Sequence, residues 1–310
     1  MNMAARPPKV YIQEVAPRDG FQIEPVFVDT LQKVQLIDAL SRAGVAKIEV
    51  SSFVSPKAVP NLRDAAEVFA AIQRHPDVTY VALVPNLHGA ERALAAGVDE
   101  VNLVMSASET HNLANMRMTH EQSLSQFEAI CAFLGKEKIS IHATVATAFG
   151  CPFEGAQSPD KILRIIDRYR RAGVRGLTLA DTTGMADPQQ VADLVSRVLA
   201  EHAGAPLTLH FHNTRGMGLA NVLAAWQSGA TRFDAALGGI GGCPFAPGAT
   251  GNICTEDTVH MFEQMGVRTG ANLPALIDLS IGLSQVLGHD LPGQVAKAGR
   301  SCDLHRPPSA

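Results

Sequence analysis

The chain has 310 residues, 46% of them hydrophobic, which is enough for a large buried core in one or two α/β domains. Its 26 basic and 30 acidic residues give a net charge of −4, and aromatic residues make up only 5%, so the composition argues against nucleic-acid binding. The first ten residues lack the apolar core of a secretory signal, and no apolar run approaches the roughly 18 residues that a membrane span needs. The five cysteines are scattered without CxxC spacing, which is typical of free thiols in a reducing cytoplasm.

A recurring joint divides the chain into helical stretches and short β-rich runs. Glycine follows Ala or Ser just before a β-rich run at four places: Gly44, Gly97, Gly173 and Gly229. Glycine just past a helix end takes the left-handed conformation at little cost. The runs predicted as strands are residues 11–15, 47–52, 79–84, 100–105, 140–146, 176–180, 207–212 and 232–237. Amphipathic stretches such as 30–43, 158–172 and 187–202 lie between them, and Ser158 and Asp187 are N-cap candidates.

Eight strands that alternate with helices predict a (β/α)₈ TIM barrel with a short C-terminal helical extension. A doubly wound sheet is the alternative, but it usually has fewer strands. No Pro/Gly/Ser-rich linker interrupts the chain, so we expect one catalytic domain over residues 1–310. Within it we expect the barrel over about residues 10–250 and the closing helices and tail over about residues 251–310. The active site of such a barrel lies at the carboxyl ends of its strands.

The predicted seventh strand carries two histidines, His210 and His212, in a run that otherwise alternates apolar and polar residues. Period-two geometry places both imidazoles on one face, about 7 Å apart along the strand, where they can bind one divalent cation. Two hydrogen-bonded core histidines are the alternative interpretation.

Further ligands are expected on segments that the barrel brings close to this strand. Asp19 follows the first strand, which neighbours the eighth on closure, and Asn252 ends the glycine-rich loop 238–252. A set of two histidines, a carboxylate, an amide oxygen and water favours octahedral Mg²⁺ or Mn²⁺, with Zn²⁺ as the alternative. Asp19 could otherwise be a surface turn residue. Cys243 lies in the same glycine-rich loop, which can bring its thiol close to a ligand.

Four motifs, in chain order, resemble the 3-hydroxy-3-methylglutaryl-CoA lyase family of metal-dependent aldol-type lyases built on TIM barrels. The resemblance runs from about residue 11 to about residue 287. The motifs are EVAPRDGFQ at 14–22, EVSSFVSPK at 49–57, GCPFEG at 150–155 and GGIGGCPFAPGATGN at 238–252.

The resemblance implies a role for each matching residue. It assigns the metal-ligand roles to Asp19, His210, His212 and Asn252, and catalytic roles to Arg18, Cys243 and Glu49. It also matches Gln22 and Asp181 to further active-site positions, and with His142 and Thr182 these residues form the substrate-binding set that we expect. The implied reaction cleaves an acyl-CoA thioester to acetyl-CoA and a keto acid, which is acetoacetate if the substrate is hydroxymethylglutaryl-CoA. The oligomeric state stays open, a homo-oligomer included.

Three departures from the usual form of the family lie outside the residues to which the resemblance assigns metal-ligand and catalytic roles. His142 stands where a strand-5 arginine is familiar, residues 213–215 read Asn-Thr-Arg instead of Asp-Thr-Tyr, and the tail at 299–305 differs. We therefore expect the chain to catalyse the family's reaction on an acyl group that can differ from hydroxymethylglutaryl. Citramalyl-CoA and isohexenylglutaryl-CoA are the alternative substrates to hydroxymethylglutaryl-CoA. The other interpretation is that His142 is a core substitution that leaves the substrate preference unchanged.

Three other classes of protein remain as alternatives. An acetyl-CoA/2-oxo acid condensing enzyme shares the barrel and the His-x-His strand but has a long C-terminal extension, whereas about seventy residues follow the eighth strand here. A metal-dependent amidohydrolase carries His-x-His on its first strand, which in this chain ends in Arg18-Asp19. A non-catalytic binding barrel predicts loss of the metal ligands or of Cys243, and all are present.

Overall fold

The structure is a computed structural model that describes residues 8–242 and 251–304. Eight of its strands are the barrel strands β1 Tyr11–Glu14, β2 Lys47–Ser52, β3 Thr79–Leu83, β4 Glu100–Ser106, β5 Ser140–Ala146, β8 Gly176–Asp181, β9 Leu207–Phe211 and β10 Arg232–Ala235. They pair in parallel and close in the order β1-β10-β9-β8-β5-β4-β3-β2. The strands β6 Gly150–Cys151 and β7 Gly155–Ala156 form a separate antiparallel hairpin after β5. The predicted barrel is therefore confirmed.

The α-helices of the described residues surround the barrel. They are α1 Thr30–Arg42, α2 Ala65–Ala71, α3 Leu87–Ala95, α4 Glu109–Met116, α5 His120–Leu134, α6 Pro159–Ala172, α7 Pro188–Glu201, α8 Gly218–Gln227, α9 Thr255–Gln264, α10 Leu273–Leu287 and α11 Val295–Ala298. The last three form the C-terminal extension. None of the helices in the described part of the chain has both the length and the apolar character needed to cross a bilayer.

Local sequence signals explain where several helices begin and end. The side chains of Ser158 and Asp187 accept hydrogen bonds from backbone N–H groups in the first turns of α6 and α7, as predicted for N-caps. Gly173 ends α6 with φ of 104°, a conformation that glycine takes without the Cβ penalty.

Four strands, β1, β3, β9 and β10, end one or two residues earlier than the sequence pattern predicts, and the changes at β9 and β10 affect the site. β9 stops at Phe211 because the backbone of His212 forms an antiparallel bridge with Asn252 instead of continuing the parallel sheet. β10 stops at Ala235, and the chain then makes a tight turn in which Gly238 has φ of 67°. The turn leads the chain towards the glycine-rich loop.

The barrel interior is polar, although the layer between strands and helices is apolar. Towards the amino-terminal end of the strands, Glu100 forms ion pairs with Lys47 and with His142, whose Nε2 lies 2.9 Å from the carboxylate. Gly176 makes room for the His142 ring, because a Cβ at position 176 would lie 2.0 Å from its Cε1. This cluster forms the floor of the barrel beneath the carboxyl ends of the strands.

Candidate metal centre and active site

A π-helical turn, Ala16–Gly20, positions Arg18 and Asp19 at the end of β1. The backbone N–H groups of Arg18, Asp19 and Gly20 all point to the carbonyl oxygen of Val15, at 3.1, 2.7 and 3.3 Å. π-Helical turns of this kind are frequent at functional sites. Both side chains are buried, so Asp19 is not the surface turn residue of the alternative interpretation.

Asp19, His210 and His212 come together as one group of ligand atoms. One atom from each residue lies within 4.8 Å of the other two, and all three residues are buried. The two Nε2 atoms of the histidines are 3.1 Å apart, and His212 Nε2 lies 3.9 Å from Asp19 Oδ2. Three such donors around one point can hold a divalent cation.

A carboxylate on the neighbouring strand orients one of these imidazoles. Asp234 Oδ2 lies 3.2 Å from His210 Nδ1, and the two residues are register partners in β10 and β9. A hydrogen bond at Nδ1 leaves Nε2 for a metal, which is the usual arrangement around metal-binding histidines. Burial lowers the pKa of His210, but the hydrogen bond and charge of Asp234 outweigh it and raise that pKa.

Asn252 approaches the same point from the segment whose backbone forms the antiparallel bridge with His212. Its Nδ2 donates hydrogen bonds to Asp19 Oδ2 at 2.8 Å and to the carbonyl oxygen of Ile240 at 3.0 Å. Its Oδ1 is buried and has no hydrogen-bond partner among the described residues. Because a buried polar atom without a partner is costly, the amide oxygen fits a ligand that the protein atoms do not supply.

Arg18 connects this group to a second carboxylate. Its Nε donates to Glu49 Oε2 at 2.5 Å and its Nη1 donates to Asp19 Oδ1 at 2.7 Å. Glu49 is held on its other oxygen by Asn102 Nδ2, at 3.1 Å. The guanidinium is therefore fixed between the candidate metal site and the inner wall of the barrel.

The two carboxylates beside Arg18 differ in acidity. Burial raises the pKa of Asp19, but the charges of Arg18, His210 and His212 outweigh it and lower this pKa to about 2. Burial raises the pKa of Glu49, and Arg18 compensates only in part. The pKa of one carboxylate is thus lowered and that of the other raised, a division typical of acid–base sites.

The predicted substrate-binding residues are less closely grouped. Gln22 lies in the 3₁₀ turn Phe21–Ile23 that follows the π-helical turn and is half-buried. Asp181 accepts hydrogen bonds from Met185 N and Ala186 N, and so shapes the loop after β8.

The other predicted positions take other partners. Thr182 Oγ1 accepts a hydrogen bond from Thr147 N in the loop after β5. His142 pairs with Glu100 on the barrel floor. Cys243 lies outside the described residues, so its predicted role stays a prediction.

Two residues of the site, Asp234 and Asn102, lie outside the sequence motifs. Each is a polar residue between two apolar neighbours in its strand, β10 and β4 respectively. That pattern was a usable signal, since a polar side chain in the wall of a barrel needs a partner. The pairing of Asp234 with His210 and of Asn102 with Glu49, however, depends on the register between strands and could not be predicted from the spacing of residues in the sequence.

The fold and the site define a parallel-barrel protein with a candidate metal centre at the carboxyl ends of its strands. The HMGL-like family model matches residues 9–281. The hydroxymethylglutaryl-CoA lyase of Bacillus subtilis is 43% identical over 93% of this chain and 96% of its own length. The (R)-citramalyl-CoA lyase of Chloroflexus aurantiacus is 45% identical over 94% and 95%.

A solved structure gives a third comparison. It is an HMG-CoA lyase from Acinetobacter baumannii in complex with coenzyme A and 3-methylmalate. It is 57% identical, with a TM-score of 0.95, and covers 99% of this chain and 100% of its own. The chain belongs to the HMGL-like family. It is a carbon–carbon lyase.

Proposed function

We propose that the protein is a divalent-metal-dependent lyase that cleaves the C2–C3 bond of a 3-hydroxy-3-methylglutaryl-CoA-type thioester to acetyl-CoA and a keto acid. The observation that carries this proposal is the convergence of Asp19, His210 and His212 within 4.8 Å, beside the buried Arg18–Glu49 pair. The relatives named for hydroxymethylglutaryl-CoA and (R)-citramalyl-CoA, and the one solved with coenzyme A, support an acyl-CoA substrate.

The donor set supports Mg²⁺ or Mn²⁺ as the ion, and Zn²⁺ less well. Asp19 supplies a carboxylate oxygen, the two histidines supply imidazole nitrogens, and Asn252 supplies an amide oxygen that lacks a partner among the described residues. Mixed sets of this kind with room for water suit octahedral ions. When bound, the ion lowers the pKa of a coordinated hydroxyl and stabilises negative charge on its oxygen.

The cleavage requires one proton to leave the C3 hydroxyl and one to reach C2. As the hydroxyl proton leaves, C3 becomes the carbonyl carbon of the keto acid and the C2–C3 electron pair moves into a thioester enolate. Protonation at C2 then gives acetyl-CoA. Glu49, whose pKa is raised by burial, is our candidate for accepting the first proton directly or through a water. Cys243 is our candidate for delivering the second.

Arg18 is suited to stabilise the enolate oxygen. A guanidinium is always charged and carries five N–H donors in one plane. The ion pairs with Asp19 and Glu49 fix its plane through Nη1 and Nε, so it does not have to reorganise when charge develops on the substrate. Further donors on the same group can face the thioester oxygen.

(R)-Citramalyl-CoA is the second candidate substrate. The citramalyl-CoA lyase is as similar to this chain as the hydroxymethylglutaryl-CoA lyase of Bacillus subtilis, at 45% and 43% identity. The two thioesters differ by one methylene between C3 and the distal carboxylate, a difference that a pocket discriminates by about 10- to 200-fold. A small interior cavity whose lining includes Glu49, Asn102 and His142 is our candidate for the place where an acyl branch is selected.

The test is a panel assay of acetyl-CoA release. The purified enzyme is given hydroxymethylglutaryl-CoA, citramalyl-CoA and isohexenylglutaryl-CoA with Mn²⁺ or Mg²⁺, and with EDTA. We expect one thioester to be preferred by at least tenfold in kcat/KM, and EDTA to abolish turnover until metal is restored. Full activity in EDTA would refute the metal centre, and consumption of acetyl-CoA with a 2-oxo acid but no cleavage would favour a condensing enzyme.

A variant pair controls for indirect effects. His212→Ala removes a candidate ligand, whereas Asp38→Ala removes a buried carboxylate on α1 that accepts a hydrogen bond from Gln73 N, away from the site. We expect the first to lose activity at every Mn²⁺ concentration tested and the second to keep it.

A further inference from the structure

Glu14, the last residue of β1, is fully buried and contacts three separate segments of the chain. Its Oε1 accepts hydrogen bonds from Ala16 N at 2.8 Å and from Leu237 N at 2.9 Å. Its Oε2 accepts one from Thr255 Oγ1 at 2.8 Å. Two of these partners lie more than 200 residues away in sequence.

Each of these segments leads into the candidate metal centre. Ala16 opens the π-helical turn that carries Asp19. Leu237 begins the turn that leads to the glycine-rich loop, and Thr255 starts α9 three residues after Asn252. The carboxylate therefore joins the backbone that carries Asp19 to the backbone that carries Asn252.

A second carboxylate supports the same turn. Glu256 Oε2 accepts a hydrogen bond from Gly238 N at 3.0 Å, the N–H that follows the one held by Glu14. Two successive backbone N–H groups at the start of the loop are thus each held by a buried acidic side chain. The tight turn has little freedom to move relative to β1.

A carboxylate suits this place because it offers only acceptors, and three donors converge on it. Its position is costly for the fold, since burial raises the pKa of Glu14 to about 7 in spite of the three hydrogen bonds. A carboxyl group buried at such a cost and held by three hydrogen bonds is expected to do more than fill space. Neither its oxygens nor its partners are candidate metal ligands, so it would act through the backbone.

We propose that Glu14 is a positioning residue of the metal centre, which sets the separation between Asp19 and Asn252 by fixing the segments that carry them. This inference rests on the proposed function in so far as a divalent ion binds there. Loss of the carboxylate should therefore weaken metal binding before any question of turnover arises.

The experiment measures the Kd for Mn²⁺ by calorimetry for the full-length chain and its variants. Glu14→Ala removes all three hydrogen bonds, and we expect its Kd to rise about 10- to 100-fold, the range found for residues that support metal ligands. Glu14→Gln keeps an oxygen for the two N–H groups and can donate to Thr255 Oγ1, so we expect its Kd to stay within about threefold of wild type.

Controls separate positioning from general stability. Asp38→Ala should lower the melting temperature and leave the Kd unchanged, whereas a purely structural role for Glu14 would give Glu14→Ala the same behaviour and overturn the inference. If Glu14→Ala does not fold, Thr255→Val removes one of the three bonds, and an unchanged Kd in that variant would overturn it instead. Absence of Mn²⁺ binding to wild type would refute the proposed metal dependence and this inference with it.

Discussion

At the scale of single residues, the site depends on charged groups held in fixed pairs inside a buried environment. Arg18 is bound by Asp19 and Glu49 at 2.7 and 2.5 Å, and His210 is oriented by Asp234 at 3.2 Å. Removing one member of a buried pair leaves the other uncompensated, which costs more than the pair contributes. Residues that do not touch the substrate can therefore have large effects.

Asp234 gives a direct test of this dependence. In Asp234→Ala, His210 loses the partner at Nδ1 and can rotate or take the other tautomer, so we expect the Kd for Mn²⁺ to rise about 10- to 100-fold. Calorimetric titration of the folded variant measures this. Asp234→Asn keeps an oxygen that can accept a hydrogen bond from Nδ1, so its Kd should lie between those of the wild type and Asp234→Ala. Equal Kd values for the wild type and both variants would contradict the role of Asp234.

At the scale of elements, pairs of neighbouring strands decide which side chains fit inside the barrel. The ring of His142 on β5 lies over Gly176 on β8, its register partner, and any larger residue there would overlap it. The loop after β8 is likewise held by Asp181, whose two oxygens accept from successive backbone N–H groups.

For the strand pair, we expect Gly176→Ala to displace the His142 ring and break its ion pair with Glu100. The cost should be about 1–3 kcal/mol in the free energy of unfolding, as for other overpacked core positions. In a His142→Ala background the same substitution should cost much less, since the new methyl group enters space already emptied. Denaturant unfolding of the four proteins gives the coupling energy, and additive effects would rule out the steric explanation.

For the β8 loop, we expect Asp181 to make a contribution to the pH dependence of stability that Asp181→Asn removes. Burial raises the pKa of Asp181 to about 6, well above its unfolded value, so the folded state loses stability as the pH rises through this interval and the carboxyl group ionises. Between pH 4.5 and 7.5 the wild type should lose about 2 kcal/mol relative to Asp181→Asn. Urea unfolding in EDTA at several pH values measures this, and parallel pH profiles would show that Asp181 does not titrate as inferred.

At the scale of the whole molecule, the candidate metal site joins the two ends of the barrel sequence. Asp19 belongs to the first strand–helix unit, and His210, His212 and Asn252 belong to the last ones, which become neighbours only because β1 pairs with β10. A ligand bound across this closure favours the closed barrel over the unfolded chain. We propose on this basis that residues 1–310 behave as one catalytic domain.

We therefore expect Mn²⁺ at about 100 times its Kd to stabilise the wild type by about 2.7 kcal/mol, with one unfolding transition. His210→Ala should show almost none of this stabilisation at the same concentration. Scanning calorimetry with and without Mn²⁺ measures both quantities. Two unfolding transitions that respond separately to Mn²⁺ would contradict the single domain. Equal stabilisation of the wild type and His210→Ala would show that Mn²⁺ binds outside the candidate metal centre.

Local sequence patterns predicted the barrel and the grouping of three of the candidate metal ligands. Alternation of strands with helices that end in glycine is a local property, and it predicted all eight barrel strands to within about two residues. Two histidines at period two share a face whatever the rest of the fold does, and the grouping of His210 and His212 with Asp19 followed from closure of a parallel barrel.

The hydrogen-bond partners of the site residues could not be predicted in this way, because they depend on the folded barrel. The pairing of Asp234 with His210, the burial of His142 against Gly176 and the three bonds of Glu14 each join segments far apart in the chain. The reason is physical: periodicity determines which face a side chain occupies, whereas hydrogen-bond distances depend on strand register and on tight turns such as Ala16–Gly20. Those are properties of the closed barrel.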